Sequence, residues 1–198
     1  MVNEQIRLDY RIISDLIEPG SKVLDLGCGD GELMKYLETN KGAKVQGVEL
    51  SEEAIYKCVE KGLSVFHSDI DSGLSSYPDG SFDYAILNQS LQQVKKIDFV
   101  LDESLRVASK AIVGFPNFAN LKARLMLFFG GKAPVTESLP YEWFNTPNIR
   151  SLSIKDFRRF CAEKNIYILA ERFLGGSSEI SFLPNLLAEN AVFVVKKQ

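Results

Sequence analysis

The stretch Val23-Leu24-Asp25-Leu26-Gly27-Cys28-Gly29-Asp30-Gly31-Glu32 constrains the fold of this chain more than any other. Lys22 to Leu26 is short and aliphatic, with Gly20-Ser21 before it and three glycines after, the pattern of a strand buried on both faces. Behind the glycines, Leu33, Tyr36 and Leu37 recur at helical spacing, which predicts a helix over Glu32 to Asn40. A strand that runs through a glycine turn into a helix is the opening unit of an open α/β sheet. Ligands of nucleotide type settle there, at the carboxyl ends of the strands, because glycine lets them approach the backbone.

The rest of the chain extends that unit. Ile6, Tyr10, Ile13, Leu16 and Ile17 form an amphipathic helix that Pro19-Gly20 stops. Lys44 to Leu50 reads as the second strand. The next helix takes Ser51 as N-cap and Glu52 and Glu53 in its first turn, turns Ile55, Cys58 and Val59 inward, and ends at Gly62. Strands are predicted over Leu63 to Phe66, Phe82 to Asn88 and Lys110 to Phe115. The helix before the last of these carries Ile97, Val100, Leu101, Ser104, Leu105 and Val107. The result is a doubly wound α/β sheet. Beyond Phe115 a helix is predicted over Phe118 to Phe129, followed by a proline- and aromatic-rich stretch, Gly130 to Arg150, to which no element can be assigned. Order resumes with Ser153 as N-cap and Asp156 three residues on, opening a helix on Phe157, Phe160 and Cys161. Strands Tyr167 to Phe173 and Ala191 to Lys196 close the sheet. With 198 residues and 45% hydrophobic content, one domain over 1–198 is expected, with an insertion at about 117–152.

The residues around the glycine turn select among ligands. The spacing is Gly27, Gly29, Gly31 rather than G-x-G-x-x-G, and Asp25 sits inside the strand. Asp25, Asp30 and Glu32 would repel a pyrophosphate and accept a ligand with ammonium and sulfonium groups. S-adenosylmethionine (SAM) carries both, and its product S-adenosylhomocysteine keeps the ammonium. Glu49, 18 residues after Gly31 and beside Leu50, falls where a carboxylate accepts hydrogen bonds from ribose hydroxyls; a solvated strand-end glutamate is the alternative. Asp69 is placed to accept from an adenine amino group with Ile70 against the ring, although aspartates also simply make turns. Asn88, in Asn88-Gln89-Ser90-Leu91, either faces the amino-acid end of the ligand or serves the turn. Cys28 fits the turn sterically, with no basic partner to make it a nucleophile. His67 falls at the adenine end and reads as structural, so no catalytic residue can be named.

Composition excludes other roles. A net charge of −3 with no lysine/arginine run longer than two argues against nucleic acid as a partner. No apolar stretch reaches the roughly 18 to 20 residues of a membrane span, and Met1 to Asp9 is polar, so a cytoplasmic protein without a membrane partner is expected. Cys28, Cys58 and Cys161 match neither a disulfide framework nor a zinc pattern, and no metal is expected.

The order Asp25-x-Gly27-x-Gly29-x-Gly31, Glu49, Asp69, Asn88 resembles the class I SAM-dependent methyltransferases over nearly the whole chain. A narrower resemblance is carried by Val23 to Glu32, Ser81-Phe82-Asp83-Tyr84, Phe115-Pro116-Asn117-Phe118 and Pro134-Val135-Thr136. It continues through Leu139-Pro140-Tyr141-x-Trp143-Phe144-Asn145-Thr146-Pro147-Asn148-Ile149-Arg150. These segments are similar to the MetW methionine-biosynthesis proteins. The resemblance implies a Rossmann-like sheet, mostly parallel with an antiparallel strand near the C-terminus. It also implies a SAM-binding accessory protein that supports homoserine O-acyltransferase. Where amino-methylating enzymes of nucleic acids carry Asn/Asp-Pro-Pro-aromatic, this chain has Asn88-Gln89-Ser90-Leu91, without the prolines or the aromatic. Leu121, Leu125, Met126, Leu127, Phe128 and Phe129 give one helix apolar residues on more than one face. With Phe118, Tyr141, Trp143 and Arg150, that helix suits either a lid over a substrate or a protein interface; a small-molecule methyltransferase remains the alternative function.

Overall fold

The structure, a computed structural model, describes residues 7–197, so Ile6 of the expected first helix lies outside it. In chain order the elements are α1 (Leu8–Leu16), β1 (Lys22–Leu26), α2 (Glu32–Lys41), β2 (Lys44–Glu49), α3 (Glu52–Glu60), β3 (Ser64–His67) and β4 (Phe82–Asn88). There follow α4 (Ile97–Val107), β5 (Ala108–Pro116), α5 (Leu121–Gly130), α6 (Ile154–Glu163), β6 (Ile166–Gly175), β7 (Ser178–Glu179), α7 (Pro184–Leu187) and β8 (Asn190–Lys197).

All the strands join one sheet in the order β3-β2-β1-β4-β5-β8-β6-β7. The first five pair in parallel. β8 slots antiparallel between β5 and β6, which is the antiparallel C-terminal strand implied by the resemblance, and β7 adds a short antiparallel edge. From β1 the chain steps outward to β2 and β3, then returns to the other side of β1 for β4 and β5. This reversal leaves a crevice at the carboxyl ends of β1 and β4, where Asp25 pairs in register with Ile86.

Side-chain alternation along the strands divides the core into two layers. Val23, Tyr84, Ile86, Ile112, Val192 and Val194 face α1 and α2, where Ile13, Met34 and Leu37 are buried. Leu24, Leu26, Ala85, Leu87, Val113 and Phe193 face α4 and α6. There Phe115 stacks on Phe193 at 5.7 Å between ring centroids, and Phe157 packs on Phe193 at 4.8 Å. The capping box that opens α6 is present: Ser153 Oγ accepts from the Asp156 N–H, and Asp156 accepts from the Ser153 N–H.

The structure departs from the sequence reading in a few elements. Val59 is exposed, because α3 covers the edge strands and buries only Cys58. The helix after β5 starts at Leu121, where Asn120 caps it, leaving Phe118 half-buried in the preceding turn. The short α7 and β7 were not anticipated; α7 begins on Pro184, whose fixed φ suits the first helical position. Among the described residues no helix is long and apolar enough to cross a membrane.

Candidate functional site

The end of β1 builds a cradle from backbone. Gly27, Gly29 and Gly31 all have positive φ, at 78°, 56° and 79°. The three are not equivalent. A side chain at Gly31 would run into Leu63 and Cys58, so this glycine is needed for packing. At Gly29 a Cβ would meet nothing, so that position opens onto free space. Gly29 is held instead by its N–H, which donates to Glu49 Oε2 at 2.9 Å, while Glu49 Oε1 accepts from the N–H groups of Leu50 and Ser51, each at 2.8 Å. Glu49 is therefore more than a free strand-end carboxylate: it ties the glycine turn to the start of α3. Of the roughly four lone-pair sites of a carboxylate, three are in use and one on Oε2 remains for a ligand hydroxyl.

Asp25 lies below this cradle, 2% exposed. Burial, and then the negative field of Glu49, push its carboxyl up to about 7. Two carboxylates so placed disfavour phosphate and favour a cation, so the donor set fits the charges of a sulfonium ligand. Leu50 is exposed at the rim of the cradle. One strand on, the Ser68 N–H donates to the Glu49 carbonyl and His67 Nε2 donates to the Leu50 carbonyl, which brings Asp69 to the same edge. Asp69 Oδ1 accepts from the Asp71 N–H and caps a short 3-10 turn, and Ile70 packs partly against the core. Asp69 thus does the turn work that was its alternative, and His67 makes a structural contact, as expected of it. Cys28 points away from the cradle toward Gly47, and both it and Cys58 approach the Gly29 carbonyl. Burial raises both thiols, so neither is activated.

Asn88 turns to a partner the sequence did not offer. Its Nδ2 donates at 2.9 Å to Asp9 Oδ2, and Asp9, on α1, is buried beside Arg7. The only sequence signal was a carboxylate on the face of α1 that also carries Ile12 and Ile13. Gln89 follows with φ of 60°, uncommon for a non-glycine residue. From here a cleft of about 1080 Å³ opens between α1, the β4–α4 turn and the stretch from Glu137 to Asn148.

The stretch after β5 is apolar and turned outward. Of α5, only Ala123 is buried, whereas Leu121, Leu125, Leu127, Phe128 (82% exposed) and Phe129 face solvent. Trp143 is 75% exposed and stands edge-on to Phe144. Phe118, Tyr141 and Trp143 together line a pocket of about 200 Å³. Arg150 is only partly free: its guanidinium donates to the Lys95 carbonyl at 2.9 Å and its N–H to the Gln92 carbonyl, so it binds its own chain through carbonyls rather than an acidic residue.

The bifunctional methionine biosynthesis protein MetXA/MetW of Rhodopirellula baltica is 34% identical over 98% of this chain, which covers 33% of that protein. A ubiquinone biosynthesis O-methyltransferase of Cupriavidus pinatubonensis is 30% identical over 65% of this chain and 56% of its own length. The chain thus spans a third to just over half of these relatives. An S-adenosylmethionine dependent methyltransferase from Mesorhizobium loti superposes with a TM-score of 0.71 over 97% of this chain and 99% of its own, at 14% identity, a likeness of fold alone. The family model described as methionine biosynthesis protein MetW matches residues 7–195, and the chain belongs to that family.

Proposed function

We propose that this chain is a methyltransferase-like accessory protein of methionine biosynthesis. It binds SAM or S-adenosylhomocysteine, docks on homoserine O-acyltransferase in the cytoplasm, and supports that enzyme. The observation that carries the reading is α5 with Trp143 and Phe144: an apolar, aromatic surface that covers nothing of its own chain. The relative that carries MetXA and MetW in one chain supports the choice of partner. On this reading the whole of 1–198 is one domain, and its 117–152 insertion, with Phe118, Leu125, Phe128, Tyr141, Trp143 and Arg150, is the docking surface.

The cradle residues then hold the ligand. Gly29 leaves room for it against backbone, and Asp25 faces its cationic end. Glu49 accepts a ribose hydroxyl through Oε2, and Leu50, Asp69 and Ile70 border the adenine. Asn88 acts through Asp9, positioning α1 over the amino-acid end. Measured affinity for the acyltransferase tests the reading. Trp143→Ala should weaken it about thirtyfold, the loss of about 2 kcal/mol typical of a buried anchor, with SAM affinity unchanged. A folded Trp143→Ala protein with full partner affinity and lost methyl transfer would make the segment a substrate lid.

A second reading, a SAM-dependent methyltransferase of a small molecule, is favoured by the cleft beside Gln89, large enough for an acceptor. It requires label from methyl-labelled SAM to appear on a small molecule.

A further inference from the structure

We propose that the cleft between α1, the β4–α4 turn and residues 137–148 binds a small α-amino acid, and that its occupancy stiffens the segment assigned above to the partner. The second half rests on that docking reading; the first stands without it. The argument begins at Gln92, which lines the cleft and is 3% exposed. Its Nε2 donates to the Gln89 carbonyl at 2.9 Å, which fixes the amide orientation, because a flipped amide would set oxygen against oxygen. Its Oε1 is buried without a hydrogen-bond partner among the described residues. An unpaired buried carbonyl oxygen loses its hydration with nothing in return, and such groups need an explanation. A ligand N–H donor supplies one once the Gln92 side chain shifts to bring this enclosed oxygen to the cleft surface.

The other walls narrow the donor to a zwitterion. Glu137 supplies the cleft wall with negative charge suited to an ammonium, while Asp9 and Glu189, also on the wall, are already paired with Arg7 and Lys122. Asp9 is shared with Arg7 at 2.7 Å, whereas Arg11, one helical turn on, presents an exposed guanidinium for a carboxylate. Leu8, Pro116 and Pro140 offer apolar surface to an uncharged side chain. The cleft is larger than one amino acid, so the ligand occupies the part bounded by Gln92 and α1.

Gln92 also supplies the coupling. Its backbone carbonyl accepts from the Ile149 and Arg150 N–H groups at 3.0 and 3.1 Å, the attachment that ends the Pro134–Arg150 stretch. Tyr141 and Asn148 of the same stretch form the outer wall. A ligand on the Gln92 side chain therefore touches both the residue that anchors the segment and the segment itself.

Calorimetry on the full chain, saturated with SAM so that the cradle is not the binding place, tests the site with L-methionine as probe. L-methionine should bind. N-acetyl-L-methionine, without the cation, and L-methioninol, without the carboxylate, should bind at least about tenfold more weakly. Gln92→Met and the surface variant Arg11→Ala should each cost about fivefold or more, and Arg11→Ala keeps the test valid if Gln92→Met misfolds. In the wild type, hydrogen exchange at the Ile149 and Arg150 amides should slow on adding L-methionine. Absence of binding, or equal binding by the two analogues or by Arg11→Ala, would overturn the site. Binding with unchanged exchange would overturn the coupling. Failure of the acyltransferase to associate, with methionine binding intact, would sink the docking reading alone.

Discussion

Asp25 illustrates how a residue can be placed against folding and in favour of a ligand. Its carboxyl stands at about 7 in the fold, against about 3.9 in an unfolded chain. The folded state therefore holds the proton more tightly, and stability falls as pH rises from about 4 to 7, where the unfolded state has already released it. Asp25→Asn should raise the melting temperature at pH 8 and flatten its pH dependence between 5 and 8, while weakening SAM binding. A variant less stable than wild type at pH 8 would contradict this. Glu49 works the other way, since its carboxylate satisfies the Gly29, Leu50 and Ser51 N–H groups. Glu49→Ala should cost about 1–2 kcal/mol of unfolding free energy without ligand, and SAM affinity as well. Binding lost with stability intact would return Glu49 to the role of a free ribose acceptor. Both residues were legible in the sequence because they follow directly from the strand–turn–helix unit. Asp9 and Gln92 were not, since the contacts that give them meaning span 79 residues for Asp9 to Asn88, and run from the backbone of Gln92 to that of Ile149.

At the scale of elements, burial separates segments that hold the fold from segments that use it. Phe157 packs against both Phe115 and Phe193, so Phe157→Ala should cost about 3–5 kcal/mol in denaturant unfolding. Phe128→Ser and Phe129→Ser change side chains on the solvent side of α5 and should stay within about 0.5 kcal/mol of wild type. A large loss from either would mean that α5 is packed more closely than its exposure indicates. The alternating strands and helices up to Phe115 were readable because β1, β2, β4 and β5 are largely buried and the helices bury one face, giving clean patterns, while β3 at the edge is mostly exposed. The same logic misplaced Val59, since α3, lying on the edge strands, buries only Cys58 and leaves Val59 exposed. Pro134 to Arg150 has no period to read: its only described pairing is the single bridge between Thr136 and Leu139. Its end is held by hydrogen bonds to the β4–α4 turn, and no local pattern announces those.

For the whole molecule, the kind of force that joins it to a partner follows from what the outward surface contains. The chain carries a net charge of −3, and the two charged residues of α5 are already engaged: Lys122 pairs with Glu189 at 2.8 Å, and Arg124 donates to the Ala119 carbonyl. What remains free there is Leu125, Phe128 and Phe129, with Trp143 and Phe144 on the neighbouring stretch. Association driven by such a surface buries apolar area, which gives a negative heat-capacity change, and it leaves few ions to be screened. Calorimetric titration of the acyltransferase should therefore show a clearly negative heat-capacity change between 10 and 30 °C, those two settings being about 20 degrees apart. Affinity should change less than about threefold when the ionic strength rises from about 0.1 to 0.5 M, because the Debye length is already about 10 Å at the lower value. A loss of tenfold or more over that range, with Phe128→Ser binding normally, would place the partner on the charged side of the molecule and take α5 out of the interface.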